Sequence, residues 1–171
     1  MPVHLALSHI ETKKYWWNCS VCRCEYLCSI PIRKEVRDSC PYCNDEQPLK
    51  GYNTIPDIYP ELCDYWSSKN LVKTDEVTRS VESENKIFTW ICDCCNLEFQ
   101  ERLGIVLEAF TKNNSSKLNS ICPYCNKKLP KPNETVNYVK PYLINEWAKE
   151  LNGDIDTFFY DSNVLVDWIC R

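Results

Sequence analysis

Short runs of apolar and polar residues dominate this chain and predict small elements of secondary structure. Strands are predicted at 25–32, 88–91 and 97–106, where apolar, aromatic and β-branched residues are concentrated. A polar stretch at 113–117 is predicted to be a hairpin loop. The predicted strands fall in two separate parts of the chain, so the pattern indicates two small β-containing regions.

Two further segments have helical spacing, with apolar residues at positions i and i+4. These positions are Leu62 and Trp66 in the first segment and Leu143, Trp147 and Leu151 in the second. A proline precedes each set, Pro60 and Pro141, and proline suits the first turn of a helix because no N–H is needed there. We therefore predict a short helix with one apolar face in each segment.

The chain also contains an internal repeat. Trp17 and the cysteine motif after it align with Trp90 and its motif at an offset of 73, while Trp66 aligns with Trp147 at an offset of 81. The repeat divides the chain into an N-terminal segment (1–14), finger 1 (15–51), spacer 1 (52–86), finger 2 (87–136) and spacer 2 (137–171). Spacer 2 ends with the start of a third finger at 168–170. The chain is interpreted either as a fragment of a longer array or as a protein whose last strand docks on spacer 2.

Composition adds a second signal, because cysteine is abundant and glycine is scarce. The 171 residues include 13 Cys and only 3 Gly, and no glycine-rich phosphate-binding motif is present. An odd number of cysteines cannot close entirely into internal disulfides, and the first ten residues lack the pattern of a signal peptide. No apolar run approaches the roughly 20 residues of a membrane-spanning helix. We therefore expect a soluble, cytoplasmic protein that uses thiolates to bind metal.

Most of the cysteines form Cys-x2-Cys pairs, which predict metal binding. The pairs are Cys19 and Cys22, Cys40 and Cys43, Cys92 and Cys95, and Cys122 and Cys125. Each pair presents two sulfurs to one side of a tight loop, and two pairs complete the tetrahedral shell that zinc prefers. We predict two Zn²⁺ ions per chain, with an iron–sulfur cluster or a single iron as the alternatives. The remaining cysteines are Cys24, Cys28, Cys63, Cys94 and Cys170, and we expect Cys24 and Cys94 not to be ligands.

Two of the pairs have the sequence Cys-Pro-Tyr-Cys, which is similar to a glutaredoxin active site. Redox chemistry of that kind needs a cysteine at the start of a helix, where its pKa is lowered. Pro48 and Pro130 follow the two motifs closely and leave little room for a helix. Each motif also has a partner pair upstream, so the sequence favours structural metal over redox catalysis.

The combined pattern resembles one known family. A Trp-x-Cys-x2-Cys motif followed by Cys-Pro-x-Cys, alternating with Pro-x-Leu-x3-Trp, is similar to the bacterial and phage probable zinc-ribbon (treble-clef-like) repeat family over about 15–170. Its members occur in tandem, often beside endonuclease domains related to very-short-patch repair enzymes, and are presumed to bind DNA. The resemblance implies a small, metal-stabilised α+β fold in which two tandem four-cysteine fingers alternate with short helical spacers.

The resemblance also implies roles for individual residues. All eight cysteines of the four pairs would be zinc ligands, and Arg33 matches an arginine that the family carries near the end of a strand. The corresponding residue of finger 2 is Val106. Where the family commonly has Gly-His after the second cysteine, Arg23 and Asn96 take the place of the glycine. The phosphate contact implied for finger 1 is therefore not expected in finger 2.

Charge restricts how the protein can bind nucleic acid. The formal net charge is −4, and two zinc–thiolate sites bring it to about −8. Contact with phosphate must then come from a local patch, which we predict on finger 1 because guanidinium groups are concentrated there. The predicted nucleic-acid contacts are Arg23, Arg33, Lys34 and Arg37, with Tyr26 as a stacking or packing group. Lysines after the last cysteine of finger 2, at 127, 128 and 131, form a weaker candidate.

No catalytic site is predicted. A zinc site made of four cysteines has no open position for water or substrate, and His4 and His9 are the only histidines. We predict a zinc-binding accessory module that contacts nucleic acid, DNA more than RNA, weakly and with little sequence specificity. The alternative is a protein-interaction adaptor or inhibitor built on structural zinc fingers. Neither a membrane nor a small-molecule substrate is expected as a partner.

Overall fold

The structure, a computed structural model, describes residues 13–35, 40–112 and 117–170. It is a small α+β arrangement of short helices and two-stranded sheets, and the chain divides into two compact units. One unit comprises Met1–Trp90 and Gln100–Leu107, and the other comprises Ile91–Phe99 and Glu108–Arg171. Within the described residues, no helix is long and apolar enough to cross a membrane.

Finger 1 begins with an antiparallel hairpin of β1 (Lys14–Asn18) and β2 (Glu25–Ser29). Its register places Trp16 opposite Leu27 on an exposed face. The helix α1 (Ile30–Glu35) follows β2 directly. The predicted strand at 25–32 is therefore too long, because Pro31 cannot donate to a strand ladder but fits the first turn of a helix.

Spacer 1 contains α2 (Ile55–Ile58), 3-10 helices at Pro60–Tyr65 and Thr74–Glu76, and α3 (Val81–Asn85). Pro60 stands in the first turn of its helix, as predicted, although the helix is of the 3-10 type. Leu62 is fully buried, whereas Trp66 lies just past the helix in an extended conformation.

A cluster of aromatic rings connects spacer 1 to the first strand of finger 2. Trp66 forms an isolated β-bridge with Trp90, and its ring lies 5.1 Å from that of Trp90 and 4.7 Å from that of Phe88. Trp90 is fully buried, and its ring N–H donates to the carbonyl of Glu101 at 3.1 Å. This cluster forms a small core that belongs to both the spacer and the finger.

The second hairpin consists of β3 (Ile87–Ile91) and β4 (Glu98–Arg102), and α4 (Leu103–Lys112) follows it. The strand predicted at 88–91 agrees with β3, but the one predicted at 97–106 ends at Arg102. Apolar residues continue beyond that point with helical spacing and are buried at Leu103, Val106 and Leu107. In the predicted hairpin loop at 113–117, residues 113–116 lie outside the described residues.

Gly104 lets the first turn of α4 approach the end of α3. A Cβ atom at position 104 would lie 3.2 Å from both the Cβ and the carbonyl oxygen of Glu84. A larger side chain there would push the two helices apart.

Spacer 2 is built from even shorter pieces. A 3-10 helix at Pro132–Glu134 and the start of α5 (Val136–Val139) belong to the end of finger 2. Spacer 2 continues with 3-10 helices at Pro141–Asn145 and Ile155–Thr157 and with α6 (Lys149–Asn152). The single amphipathic helix predicted through Leu143, Trp147 and Leu151 is wrong. Trp147 interrupts it because this residue forms a β-bridge with Trp168, and Leu151 is exposed.

The segment at 167–170 lies against the preceding part of spacer 2. The rings of Trp147 and Trp168 are 5.5 Å apart, and the amide of Ala148 donates to the carbonyl of Asp167 at 3.4 Å. The side chain of Asn152 bonds both the amide and the carbonyl of Asp167. The residues predicted to start a third finger are thus held by the spacer before them.

Candidate metal centres

The first cysteine cluster lies at the turn end of the finger 1 hairpin. Cys19 and Cys22 occupy the turn between β1 and β2, and Cys40 and Cys43 come from the loop that follows α1. All four Sγ atoms lie within 4.8 Å of one another. The Sγ atoms of Cys19 and Cys43 are 3.6 Å apart, as are those of Cys22 and Cys40.

The second cluster has the same arrangement in finger 2. Its Sγ atoms also lie within 4.8 Å of one another. The Sγ atoms of Cys92 and Cys125 are 3.7 Å apart, and those of Cys95 and Cys122 are also 3.7 Å apart. The structure therefore gathers the eight cysteines of the four predicted pairs into two groups of four.

The sulfur spacing fits one tetrahedral metal ion in each group. A Zn–S bond of about 2.3 Å in a tetrahedral shell places the sulfurs about 3.8 Å apart. The observed separations of 3.6 and 3.7 Å match that value and are far longer than the ~2.05 Å of a disulfide bond. A cluster of several iron atoms would need the sulfurs spread more widely, whereas a single iron ion would fit the same shell.

Tight backbone turns position the sulfurs in both groups. Arg23 donates its amide to the carbonyl of Cys19 at 3.0 Å, and Asn96 donates to Cys92 at 2.9 Å. Arg23 has φ 65° and Asn96 has φ 56°, in the left-handed region that glycine adopts without strain. Asparagine tolerates this conformation better than arginine does. The first Cys-x2-Cys turn is therefore built alike in both fingers, with more backbone strain in finger 1.

The second turn of each group also contains a residue in the left-handed backbone region. Asp45 has φ 58° and Lys127 has φ 53°, each two residues after the last cysteine of its group. The amide of Asn44 donates to the carbonyl of Cys40, and the amide of Asn126 donates to that of Cys122, both at 3.1 Å. Neither Cys-Pro-Tyr-Cys motif begins a helix in the structure. The geometry therefore offers no support for a glutaredoxin-like thiol.

Two asparagine side chains secure these second turns, and neither was identified from the sequence. The Asn53 side chain, which is only 2% exposed, donates to the carbonyls of Tyr42 and Gln47 and accepts from the amide of Leu49. In finger 2, the Asn126 side chain donates to carbonyls at residues 119, 120 and 122. Nothing in their sequence spacing distinguishes them from other polar residues.

Finger 1 has an additional contact to one sulfur. The Tyr52 hydroxyl lies 3.4 Å from Sγ of Cys43, in position to donate a hydrogen bond. This bond raises the pKa of Tyr52 to about 12. Hydrogen bonds from outside the shell orient metal ligands and tune metal affinity. Sequence reasoning missed this residue as well.

Backbone donors and burial act on the thiols in opposite directions. The Cys22 amide hydrogen bond is the main cause that lowers the pKa of Cys19 to about 6. Burial raises the pKa of Cys22 and Cys40, and it raises that of Cys122 to about 11. Protons on these sulfurs must leave when metal binds, so acid weakens the binding of metal.

The other cysteines lie outside both groups. Sγ of Cys24 donates to the carbonyl of Cys22 at 3.5 Å, and Sγ of Cys28 donates to that of Ser29 at 3.4 Å. Cys94 is exposed even though it precedes a ligand position. In the described part of the chain, only the two groups of four bring three or more potential ligands together.

The predicted nucleic-acid contacts are not equivalent in the structure. Arg23 and Lys34 are exposed, whereas the Arg33 guanidinium lies 5.7 Å over the ring of Trp17. Arg37 lies outside the described residues, as do both histidines. Tyr26 is only 4% exposed, so it packs in the finger and is not available for stacking.

No family model matches the chain, and curated proteins show no significant similarity to it.

Proposed function

We propose that this protein is a zinc-binding accessory module that contacts nucleic acid weakly and with little sequence specificity. DNA is the expected partner ahead of RNA. We further propose that the fingers are of the zinc-ribbon or treble-clef type, in line with the family that the sequence resembles. The two groups of four cysteines support the metal part of this proposal.

Zinc suits these groups because a tetrahedral shell of four sulfurs is its usual structural site. When bound, the ion crosslinks two turns that are distant in sequence, and small fingers of this kind gain much of their folding free energy in this way. A shell filled by four cysteines leaves no position for a substrate. We therefore assign the protein a binding role and not a catalytic one.

The observation that carries the nucleic-acid proposal is the concentration of cations on finger 1. Arg23 projects from the first cysteine turn, and Arg33 and Lys34 lie on the short helix after the hairpin. Finger 2 has Asn96 and buried Val106 at the positions of the two arginines. Guanidinium groups bind phosphate through paired hydrogen bonds, whereas a net protein charge near −8 repels the phosphate backbone of the nucleic acid. The expected affinity is therefore low and strongly dependent on salt.

Charge reversal on one finger at a time tests this proposal. Arg23→Glu with Lys34→Glu should reduce binding to a generic DNA duplex at least tenfold at about 50 mM salt. Lys127→Glu with Lys128→Glu makes the same change in net charge on finger 2 and should alter binding less than threefold. Both variants should retain two zinc ions.

Equal losses in the two variants would show that only overall charge matters, and the finger 1 contact would be wrong. If the zinc-loaded wild type binds neither DNA nor RNA at about 50 mM salt, the proposal itself is wrong.

A protein adaptor is the second candidate, and it is favoured by the apolar surface of spacer 2. Tyr138 and Tyr142 are each about two-thirds exposed, and Leu165 is 98% exposed. Exposed apolar side chains of this size are available to be buried against another protein. Lack of nucleic-acid binding by the zinc-loaded chain would make this the better interpretation.

A further inference from the structure

The first strands of the two hairpins, β1 and β3, differ in which residues cover them. In finger 2, the ring of Trp66 packs 4.7 Å from that of Phe88 on β3. The next residue, Thr89, donates its amide to the Asn70 side chain at 2.8 Å and accepts at its carbonyl from the amide of Ser67 at 3.1 Å. Spacer 1 thus covers both a ring and the backbone edge of β3.

The corresponding strand of finger 1 lacks this cover in the described residues. At the offset of 73, Tyr15 corresponds to Phe88 and Trp16 corresponds to Thr89. Both aromatic residues are exposed, and Trp16 is 68% exposed. In the part of the chain that the structure describes, β2 is the one strand that pairs with β1.

One lysine lies beside each of these rings in finger 1, on opposite faces of β1. The ammonium group of Lys13 lies 5.4 Å from the centre of the Tyr15 ring, and Lys14 is on the same face of β1 as Trp16. In finger 2, Lys86 corresponds to Lys13 and forms an ion pair with Glu82 at 3.0 Å. In finger 2, therefore, the aromatic residue Phe88 is covered, the lysine Lys86 is ion-paired, and Thr89 replaces the exposed tryptophan.

We propose that β1 binds single-stranded nucleic acid, with an unpaired base stacked on Trp16. Lys14 on the same face, and Lys13 at the start of the strand, contact the adjacent phosphates. The inference rests on the proposed function and specifies its substrate. An exposed ring stacks on the face of a base, and in a duplex those faces are already stacked on one another. Such rings beside cations are the usual features of a single-strand site.

Substitutions at Trp16 separate stacking from simple apolar contact. The probes are a labelled oligothymidine of about 12 nucleotides and a duplex of the same length. Trp16→Ala and Trp16→Leu should each weaken binding of the single strand by about 5- to 150-fold, the range found when one stacked base is lost. Trp16→Phe should retain affinity within about threefold because it keeps an aromatic face, and duplex binding should change little in all three variants.

A lysine pair provides a matched control. Lys13→Ala should reduce the slope of log affinity against log salt by about 0.7 for the single strand. Lys86→Ala, the equivalent change in finger 2, should leave that slope unchanged because Glu82 already neutralises this lysine. Zinc content and thermal unfolding check that each variant is folded.

Three outcomes overturn the inference. If Trp16→Leu binds as well as Trp16→Phe, the site is an apolar docking surface and not a stacking site. If wild type binds the duplex but gains nothing from an unpaired strand, the inference is wrong and the proposed function stands. If wild type binds neither probe, the inference and the proposed function are both wrong.

Discussion

Finger 1 and finger 2 hold their sulfurs alike but differ in nearly everything around them. Two sulfur pairs are 3.6 Å apart in finger 1 and two are 3.7 Å apart in finger 2, and both first turns contain a residue of positive φ. Beyond the sulfurs, Trp90 of finger 2 is fully buried under Trp66, whereas its counterpart Trp17 is only partly buried beneath the guanidinium of Arg33. Local turns thus define the metal site, and the preceding spacer determines how the hairpin is stabilised.

The comparison indicates two different sources of stability. The hairpin of finger 2 has an aromatic core shared with spacer 1, and α4 adds three buried apolar residues. Finger 1 has a six-residue helix with two cations in its last turn and a core made largely of cysteines and Tyr26. We expect finger 1 to depend more strongly on its metal.

Removal of one ligand in each finger should give the largest effect. Cys43→Ser and Cys125→Ser should each reduce the zinc content from two ions to one, because three sulfurs hold the ion poorly. Amide hydrogen exchange should show that β1 and β2 lose protection in Cys43→Ser. In Cys125→Ser, the amides of Trp66 and Trp90 should stay protected. Equal loss of protection in both hairpins would contradict the difference between the fingers.

Removal of the equivalent tryptophans should give the next largest effect. Trp90→Ala should reduce the free energy of unfolding by about 3–5 kcal/mol because it empties a fully buried site. Trp17→Ala should cost less, because Trp17 is partly exposed. Each ring also donates one hydrogen bond to a carbonyl, at 3.1 Å for Trp90 and 2.9 Å for Trp17. The two variants therefore lose the same number of hydrogen bonds and differ mainly in the apolar surface that was buried. Chemical denaturation of the zinc-loaded proteins measures the difference, and a larger loss in Trp17→Ala would contradict it.

A smaller effect is expected from the hydroxyl of Tyr52. Tyr52→Phe removes the hydrogen bond to Cys43 and should weaken zinc binding in finger 1 by up to about tenfold. Competition with a chelator should then show one site that releases zinc faster and one that is unchanged. Equal release from both sites would show that this contact does not tune the metal.

The smallest effect concerns Asp57, which accepts hydrogen bonds from the amides of Gly51, Tyr52 and Thr54. The hydrogen bond from the Thr54 side chain, followed by those amides, lowers the pKa of Asp57. Since the folded value is below the unfolded one of about 3.9, the stabilisation is complete above that pH and is lost as pH falls through the folded pKa. Asp57→Asn should therefore lower the melting temperature by the same amount at pH 6 and pH 8. A difference that grows between these two values would contradict the assignment.

The metal groups could be predicted from sequence because the Cys-x2-Cys turn is local. The ends of the strands could not, since an apolar run such as 103–107 is compatible with either a strand or a buried helix. The break at Trp147 was missed because it depends on pairing with Trp168, a contact between distant parts of the chain. Asn53 and Tyr52 were missed for the same reason, because their partners become neighbours only after folding.

The metal content of the wild-type protein tests the central claim most directly. Native mass spectrometry combined with X-ray absorption should find two zinc ions per chain, each with four sulfurs at about 2.3 Å. One ion, three ions, iron in place of zinc, or nitrogen or oxygen in the first shell would contradict the assignment of the two cysteine groups as structural zinc sites.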